Sequence, residues 1–282
     1  MAPSALSRDD ARFPRRLLQI PDAPASLWCE GDPLHLPPPD SPSLAVVGTR
    51  AATRDALEQT REVVDRLARL GVVIVSGLAR GIDAVAHQAA LDAGGVTVGV
   101  LGSGHDCLYP PEHRDLAMRI CVRGAVLTEY PPDTPPRLWM FPRRNRLVAG
   151  LADAVLVVEA PERSGALITA GAAGDQGKDV LVMPGRCAGE RNRGGHLLLR
   201  DGARLVDCVD DIVADVGWRL GSLLPGRGPV GASEEFSLDE YTSQSGLSVA
   251  EALARLLELE LAGEVTRVGA SRFRTRAGRM LT

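Results

Sequence analysis

The residues best suited to chemistry in this sequence are a basic run behind an aromatic ring, Phe141-Pro142-Arg143-Arg144-Asn145-Arg146. No acidic residue lies between Pro135 and Ala152, so these arginines have no carboxylate close by in sequence. A guanidinium donates two parallel hydrogen bonds from a planar fork, which suits a phosphate. Upstream lie stretches rich in glycine, the residue that lets a backbone come close to an anion. They are Gly48-Thr49-Arg50, Ser76-Gly77-Leu78-Ala79-Arg80-Gly81-Ile82-Asp83 and Gly102-Ser103-Gly104. Downstream, Ser164-Gly165-Ala166-Leu167-Ile168-Thr169 reads as a helix start, with Ser164 placed to cap it and Ser164 and Thr169 able to offer hydroxyls. Pro184-Gly185-Arg186 and Asn192-Arg193-Gly194-Gly195-His196 follow, and His196 is expected to be a structural hydrogen-bonding residue.

The common chemistry is phosphate binding. None of the glycine stretches is a GxGxxG fingerprint or a Walker loop, which argues against a dinucleotide or a nucleoside triphosphate. There is no HExxH, no GxSxG elbow and no metal-spaced cluster, so no catalytic residue, metal or cofactor is assigned. Asp83 and Glu129 are acids near strand ends, and Asp83 is expected to cap a helix over Ala84–Leu91.

The elements that must position these residues are legible as apolar runs. Leu44–Val47, Val72–Val75, Val96–Leu101, Ala125–Leu127, Ala154–Val158 and Val180–Met183 are nearly continuous in Val, Leu, Ile and Ala. Such runs mark parallel strands buried on both faces. Arg54 to Leu70 carries Leu57, Val63, Val64, Leu67 and Leu70, most of them on one helix face. Repeated strand–helix–strand units predict an α/β fold, a doubly wound, mostly parallel Rossmann-like sheet. In such sheets ligands sit at the carboxyl ends of the strands, where the glycine stretches fall.

Four regions are expected. Residues 1–43, with Pro37, Pro38 and Pro39 in a row, read as an extended lead-in with little structure; 44–216 form the Rossmann-like domain. Residues 217–232 are a glycine- and proline-rich linker, and 233–282 form a small winged-helix domain. In the last, Ser237 caps a short helix from Leu238, and Ser248 caps a second with Glu251 completing the capping box. Leu253, Leu256, Leu257 and Leu261 form the second helix's apolar stripe, and Val265–Val268 with Arg272–Thr275 form the wing.

Composition sets limits. Of 282 residues 45% are hydrophobic and 24% charged, and the net charge is -4, so nucleic-acid binding has to rest on local charge. Aromatic residues are 4%, too few for a surface built mainly on base stacking. Five cysteines without a CxxC pair argue against a disulfide framework or a zinc ribbon and fit a reducing, cytoplasmic setting. No apolar run is long enough to span a bilayer, so no membrane partner is expected.

Taken in order, the motifs form a recognisable series. Val47-Gly48-Thr49-Arg50, Ser76–Asp83 with Ala86-His87, Leu101-Gly102-Ser103-Gly104 with Tyr109-Pro110-Pro111-Glu112-His113, Glu129-Tyr130-Pro131-Pro132, Phe141 to Arg146, and Glu162 to Thr169 resemble the DprA/Smf family of DNA-processing proteins. The resemblance covers about Pro14 to Val213, and the winged-helix segment matches the family's usual C-terminal module. It implies a protein that binds and protects single-stranded DNA, helps load the RecA recombinase during natural transformation, dimerises through the Rossmann-like domain and is not an enzyme. It places the DNA-contacting arginine of the family's Gly-Ser-Arg motif on Arg50, and the motif's phenylalanine and basic residues on Phe141, Arg143, Arg144 and Arg146. Thr49 stands where the family usually has serine, Gly195 where a cysteine is common, and Arg186 to Asn192 departs from the family's Asn-Pro-rich form. The additional N-terminal helical domain of many members is expected to be missing.

The residues expected at the DNA are therefore Gly48, Thr49, Arg50, Gly77, Arg80, Gly81, Gly102, Ser103, Gly104, Phe141, Arg143, Arg144, Asn145, Arg146, Ser164, Gly165 and Thr169. Arg50 and the arginines of 143–146 would hold phosphates, the glycine loops would donate N–H groups, and Phe141 would stack on a base, worth about 1–3 kcal/mol. Two rival readings stand beside this one. One is a nucleotide-processing enzyme akin to the lysine-decarboxylase-like phosphoribohydrolases, whose Pro-Gly-Gly-x-Gly-Thr loop is matched poorly by Pro184-Gly185-Arg186. The other is a duplex-DNA regulator acting through the winged helix, with wing arginines Arg267, Arg272, Arg274 and Arg276 but a second helix on which Glu251, Glu258 and Glu260 oppose Arg255.

Overall fold

The apolar runs become the centre of a nine-stranded sheet in a computed structural model. The structure describes residues 3–187, 189–218, 235–238, 241–242, 249–261, 265–267 and 272–275. Strands β3 (Ser43–Val47), β4 (Val73–Ser76), β5 (Thr97–Val100), β6 (Ala125–Thr128), β7 (Ala154–Val157), β8 (Asp179–Val182) and β9 (Arg204–Leu205) pair in parallel. Every residue of β3 to β7 is buried, the burial expected of strands covered by helices on both faces.

The strand order is β1-β2-β6-β5-β4-β3-β7-β8-β9. The chain winds outward from β3 through β4, β5 and β6, then returns to the other side of β3 for β7 and β8. The topological switch point thus lies between β3 and β7, and the loops leaving their carboxyl ends diverge to open a crevice there. Helices α1 (Arg54–Arg69), α2 (Ile82–Asp92), α3 (Arg114–Arg123), α4 (Met140–Leu151), α5 (Gly165–Asp175), α6 (Arg193–Arg200) and α7 (Val209–Val216) cover the sheet. Helix α1 buries Val63, Val64 and Leu67, while Thr53 caps it by accepting the Ala56 N–H at 3.2 Å.

The first 43 residues are not a loose lead-in. They supply β1 (Ser4–Ser7) and β2 (Ser26–Gly31), and β2 pairs antiparallel with β6, extending the sheet. Phe13, Leu17 and Ile20 are buried in the main core. Arg16 is the clamp. It is buried, reaches the Asp153 carboxylate, and donates to the carbonyls of Pro39 at 2.6 Å and Ser41 at 2.7 Å, which fixes the proline run against the domain. The compact unit accordingly runs from Met1 to Arg219.

The second unit contains strands β10 (Glu235–Ser237), β11 (Val265–Arg267) and β12 (Arg272–Thr275) in the order β10-β12-β11, with helix α8 (Val249–Leu261). The two wing strands pair as the sequence predicts, and β10 adds a third that the sequence pattern does not announce. The helix face also differs from expectation. Ala252, Leu256 and Leu259 are buried, with Leu256 and Leu259 packed on Phe273, whereas Leu253 and Leu257 are exposed. The side chain of Leu261, the Ser248–Glu251 capping box, the wing turn and most of the expected linker lie outside the described residues. Among the described residues, no helix is long and apolar enough to cross a membrane.

One buried group gives the first unit a pH dependence. His87 on α2 is fully buried, and its Nδ1 lies 2.7 Å from the hydroxyl of Thr97, which itself donates to the Ile74 carbonyl. That arrangement makes Nδ1 the protonated nitrogen and leaves Nε2 buried without a partner. Burial pushes the imidazole down to about 3 from 6.5, with the neighbouring His113 and Arg144 adding to the effect. The unfolded chain binds this proton below pH 6.5 and the folded one does not, so stability is lost as pH falls from 6.5 toward 3, at about 1.4 kcal/mol per pH unit. Urea unfolding of wild type and His87→Phe at pH 7, 5 and 4 is expected to show wild type ahead at pH 7 and the gap closing in acid. A gap that does not change with pH would contradict this assignment.

Candidate nucleic-acid interface

A cleft of about 710 Å³ opens at the switch point. Its walls come from the loop after β3 (Gly48, Thr49, Arg50), the first two turns of α4 (Phe141, Asn145) and the entry into α5 with its first turns (Arg163, Ser164, Gly165, Thr169). Gly77, Asp83 and Arg144 line its floor. Of the expected site residues, Gly48, Thr49, Arg50, Gly77, Phe141, Arg144, Asn145, Ser164, Gly165 and Thr169 therefore meet here. Arg80 lines an adjoining hollow, and Gly81, Gly102, Ser103, Gly104, Arg143 and Arg146 line neither.

The arginine run behaves differently from its reading as a loop. It lies inside α4, with Pro142 in the first turn, where a missing N–H costs nothing. Successive helical residues point about 100° apart, so neighbours in sequence diverge in space. Arg143 is exposed, with its Nε 3.9 Å from Glu129. Arg144 turns inward and is buried, donating to the carbonyls of Gly77, at 2.5 Å, and Val100. Arg146 is largely buried and paired with Glu129 at 2.7 Å and Asp22 at 3.0 Å. The run is thus free of acids only along the chain: Glu129 and Asp22 reach it from β6 and from the N-terminal segment. Arg144 and Arg146 are corrected from phosphate contacts to structural cations.

Most of the glycines are likewise filled by the protein itself. A Cβ on Gly48 would stand 2.4 Å from the Ile82 side chain, one on Gly77 2.5 Å from the Arg144 guanidinium, and one on Gly102 2.8 Å from the Phe141 ring. A Cβ on Gly104 would meet the Pro131 and Pro132 carbonyls at 2.2 Å. Gly81 has φ +75° and presses on the Thr49 carbonyl, so only glycine fits there. Their amides are partly used as well: Gly77 N–H donates to Asp83 at 3.1 Å and Gly104 N–H to Thr134 at 2.8 Å. Asp83 does not cap its helix; it accepts the N–H groups of Gly77 and Ala79 and so folds the loop between them. Ser103 is buried away from the cleft. Gly165 differs, because a Cβ there would meet nothing within 4 Å, and it stands at the open N-terminus of α5. Ser164 caps that helix as expected, accepting the Ala166 N–H at 3.2 Å. Thr169 is buried in the wall.

The electrostatics follow from these positions. On the floor, burial pushes the Asp83 carboxyl up and the Arg144 guanidinium down to about 10, while the charge of each favours the ionised form of the other. Above the floor stand Arg50 and Arg163, both exposed, and neither has a carboxylate partner among the described residues. The Arg50 guanidinium lies 5.8 Å from the centre of the Phe141 ring. Arg163 is a site residue that the sequence does not single out; its only signal is its place directly before the capping Ser164, beside Glu162. The Glu162 carboxylate is taken by Arg193 at 3.1 Å, so Arg163 keeps its charge unpaired. Glu159 holds the Arg50 loop: it is buried, accepts the Thr53 hydroxyl at 2.5 Å, and its carbonyl accepts the Thr49 N–H at 2.7 Å. His196 is structural, with Nε2 3.2 Å from the Gly185 carbonyl. Away from the cleft, Asp207, Cys208 and Asp211 cluster at the start of α7, where Asp211 accepts the Asp207 N–H.

A doubly wound, mostly parallel sheet with a cation-rimmed cleft at its switch point defines a Rossmann-like anion-binding protein, here carrying a second, helix-and-wing unit. Residues 4–217 match the family model for DNA recombination-mediator protein A, and residues 232–270 match the DprA winged helix domain. The chain belongs to the DNA recombination-mediator protein A family, the DprA/Smf proteins. It is 38% identical to Protein Smf of Escherichia coli K12, over 92% of this chain and 74% of that protein. It matches the crystal structure of DprA from Streptococcus pneumoniae at a TM-score of 0.71 and 39% identity, over 76% of this chain and 75% of that one. A DprA structure from Helicobacter pylori, described for its single-stranded DNA binding mode, matches at a TM-score of 0.68 and 30% identity, over 77% of this chain and 96% of that one. The chain spans 63% to 74% of the length of the curated relatives it matches.

Proposed function

We propose that this protein binds single-stranded DNA in the switch-point cleft, protects it, and hands it to the RecA recombinase during transformation or recombination, acting as a homodimer in the cytoplasm. The observation that carries the binding reading is the pair of exposed arginines, Arg50 and Arg163, without carboxylate partners among the described residues, that line one open cleft together with the Phe141 ring beside Arg50. The Helicobacter pylori relative's single-stranded DNA binding supports it.

The chain's own groups have separable roles. Arg50 and Arg163 hold backbone phosphates, the open N–H groups at Gly165 add a neutral anion contact, and Arg143 extends the positive rim. Phe141, seated against Gly102, offers an edge or face to a base. Stacking on an aromatic ring needs no particular base, which makes binding tolerant of sequence. Asp83 is engaged by backbone amides and Glu129 by Arg146, so neither is placed as a free general acid or base, which disfavours the nucleotide-processing reading. Release of free base from AMP by the purified protein would revive that reading.

Arg163→Ala is expected to weaken binding of a dT oligonucleotide by about tenfold and to reduce the slope of log affinity against log salt by about 0.7, the share of a single neutralised phosphate. Anisotropy titrations at several salt concentrations read both quantities. An unchanged slope would take Arg163 out of the interface. The wider function is tested by asking whether the protein lets RecA form filaments on single strands already coated by single-strand-binding protein; no filaments would leave binding without the loading role.

A further inference from the structure

Phe141 is not alone at the rim. Its ring centre lies 5.7 Å from that of Tyr109, with the planes tilted by 57°. The Arg80 guanidinium lies 5.7 Å from the Tyr109 ring centre, and the Arg50 guanidinium lies 5.8 Å from the Phe141 ring centre. The order is cation, ring, ring, cation. Four different segments supply it: the loop after β3, the first turn of α4, the loop after β5 and the loop after β4. A shallow hollow bounded by Arg50, Arg80, Tyr109 and Phe141 joins this strip to the main cleft.

We infer that Tyr109 and Arg80 form a second nucleotide step, so that the strand leaves the cleft over this strip with one base on Phe141 and the next on Tyr109, and with Arg80 on the following phosphate. This rests on the single-strand reading above. Tyr109 is 38% exposed although it sits among apolar rings, so part of its surface is open to a partner. Base stacking on aromatic rings needs no particular base, because every base has a π-face. Arg80 is half exposed, and its pair with Glu112 at 2.5 Å is exposed on both sides, the kind of ion pair that contributes little and yields to a stronger anion. The two rings are too close and too tilted to take a base between them, so the bases stack on their open sides. The alternation repeats the geometry a single strand asks for, charge for the backbone and rings for the bases.

The test compares binding of a twelve-nucleotide dT strand, about the length one such groove covers, by wild type, Tyr109→Leu, Tyr109→Phe, Arg80→Ala and Arg50→Ala. Tyr109→Leu is expected to weaken binding by at least about fivefold, the lower end of what removing one stacking ring costs. Tyr109→Phe, which keeps the ring for stacking and packing alike, is expected to bind within about twofold of wild type, and the fluorescence of a stacked base tells the two roles apart. Arg80→Ala, on an exposed side chain, reads the step independently should Tyr109→Leu fold poorly; it is expected to lower the salt slope by about 0.7. A strand carrying 2-aminopurine is expected to be quenched by wild type and Tyr109→Phe and less so by Tyr109→Leu. If Arg50→Ala loses affinity while Tyr109→Leu and Arg80→Ala bind as wild type does, the second step is wrong and the cleft reading stands. If wild type itself does not bind dT, the cleft reading fails and this step with it.

Discussion

Replacing Arg50 by alanine is expected to weaken dT binding by about 10- to 100-fold, the loss of a charge-assisted hydrogen bond worth roughly 1.5–3 kcal/mol. The side chain is exposed, has no carboxylate partner among the described residues and stands over the Phe141 ring. Its removal therefore takes away nothing the fold depends on, and the thermal midpoint is expected to stay within about 2 °C of wild type. The salt slope should fall by about 0.7, as for any single phosphate contact on a single strand. Arg50→Lys should recover only part of the affinity, since an ammonium offers a point charge and no planar fork. Loss of affinity with an unchanged salt slope would mean that Arg50 shapes the loop and does not touch phosphate.

Arg144 gives the opposite pattern. Arg144→Met is expected to cost about 3–5 kcal/mol of stability, the range for breaking a buried charge pair from one side. For a unit of this size that is a fall in Tm on the order of 10 °C. The causes are on the floor of the cleft. Removing the guanidinium leaves the carbonyls of Gly77 and Val100 without their donor, Asp83 buried without its nearest counter-charge, and a void against the Gly77 backbone. Arg144→Lys should restore stability only in part: both carbonyls accept from the single Nη1, which an ammonium can imitate, but the lysine leaves empty the space that the planar guanidinium fills against Gly77. Affinity of the folded fraction should fall as the floor loosens, but the salt slope should match wild type. Thermal melts and salt titrations of the same variant separate the two effects; a reduced slope with an unaltered melt would return Arg144 to the phosphate.

The contrast between these arginines shows what the sequence holds and what it does not. The parallel sheet was legible because strands buried on both faces leave continuous apolar runs, and each expected run became a strand within a residue or two. Arg50 and Phe141 were legible because glycine-rich turns and strand ends locate the crevice. The sorting of Arg143, Arg144 and Arg146 was not, because it depends on the helical turn and on acids 17 and 124 residues away. The glycines misled for a related reason: a glycine that makes room for a ligand and one that makes room for Arg144 or Phe141 read alike along the chain. In the N-terminal segment, β2 buries only Leu27, Cys29 and Gly31 on its inner side, too weak an alternation to stand out beside a row of prolines. On α8 the sequence offers leucines on two faces, and only packing on Phe273 selects Leu256 and Leu259 over Leu253 and Leu257.

The central claim is that the strand lies in the cleft between β3 and β7. Photocrosslinking the full chain to a dT strand carrying 5-iododeoxyuridine, followed by mapping of the linked peptides, tests it most directly. The account predicts crosslinks on peptides containing Phe141 and Tyr109, abolished when unlabelled strand is added in excess. Crosslinks confined to the winged-helix unit, or to the outer faces of α1 and α3, would contradict it.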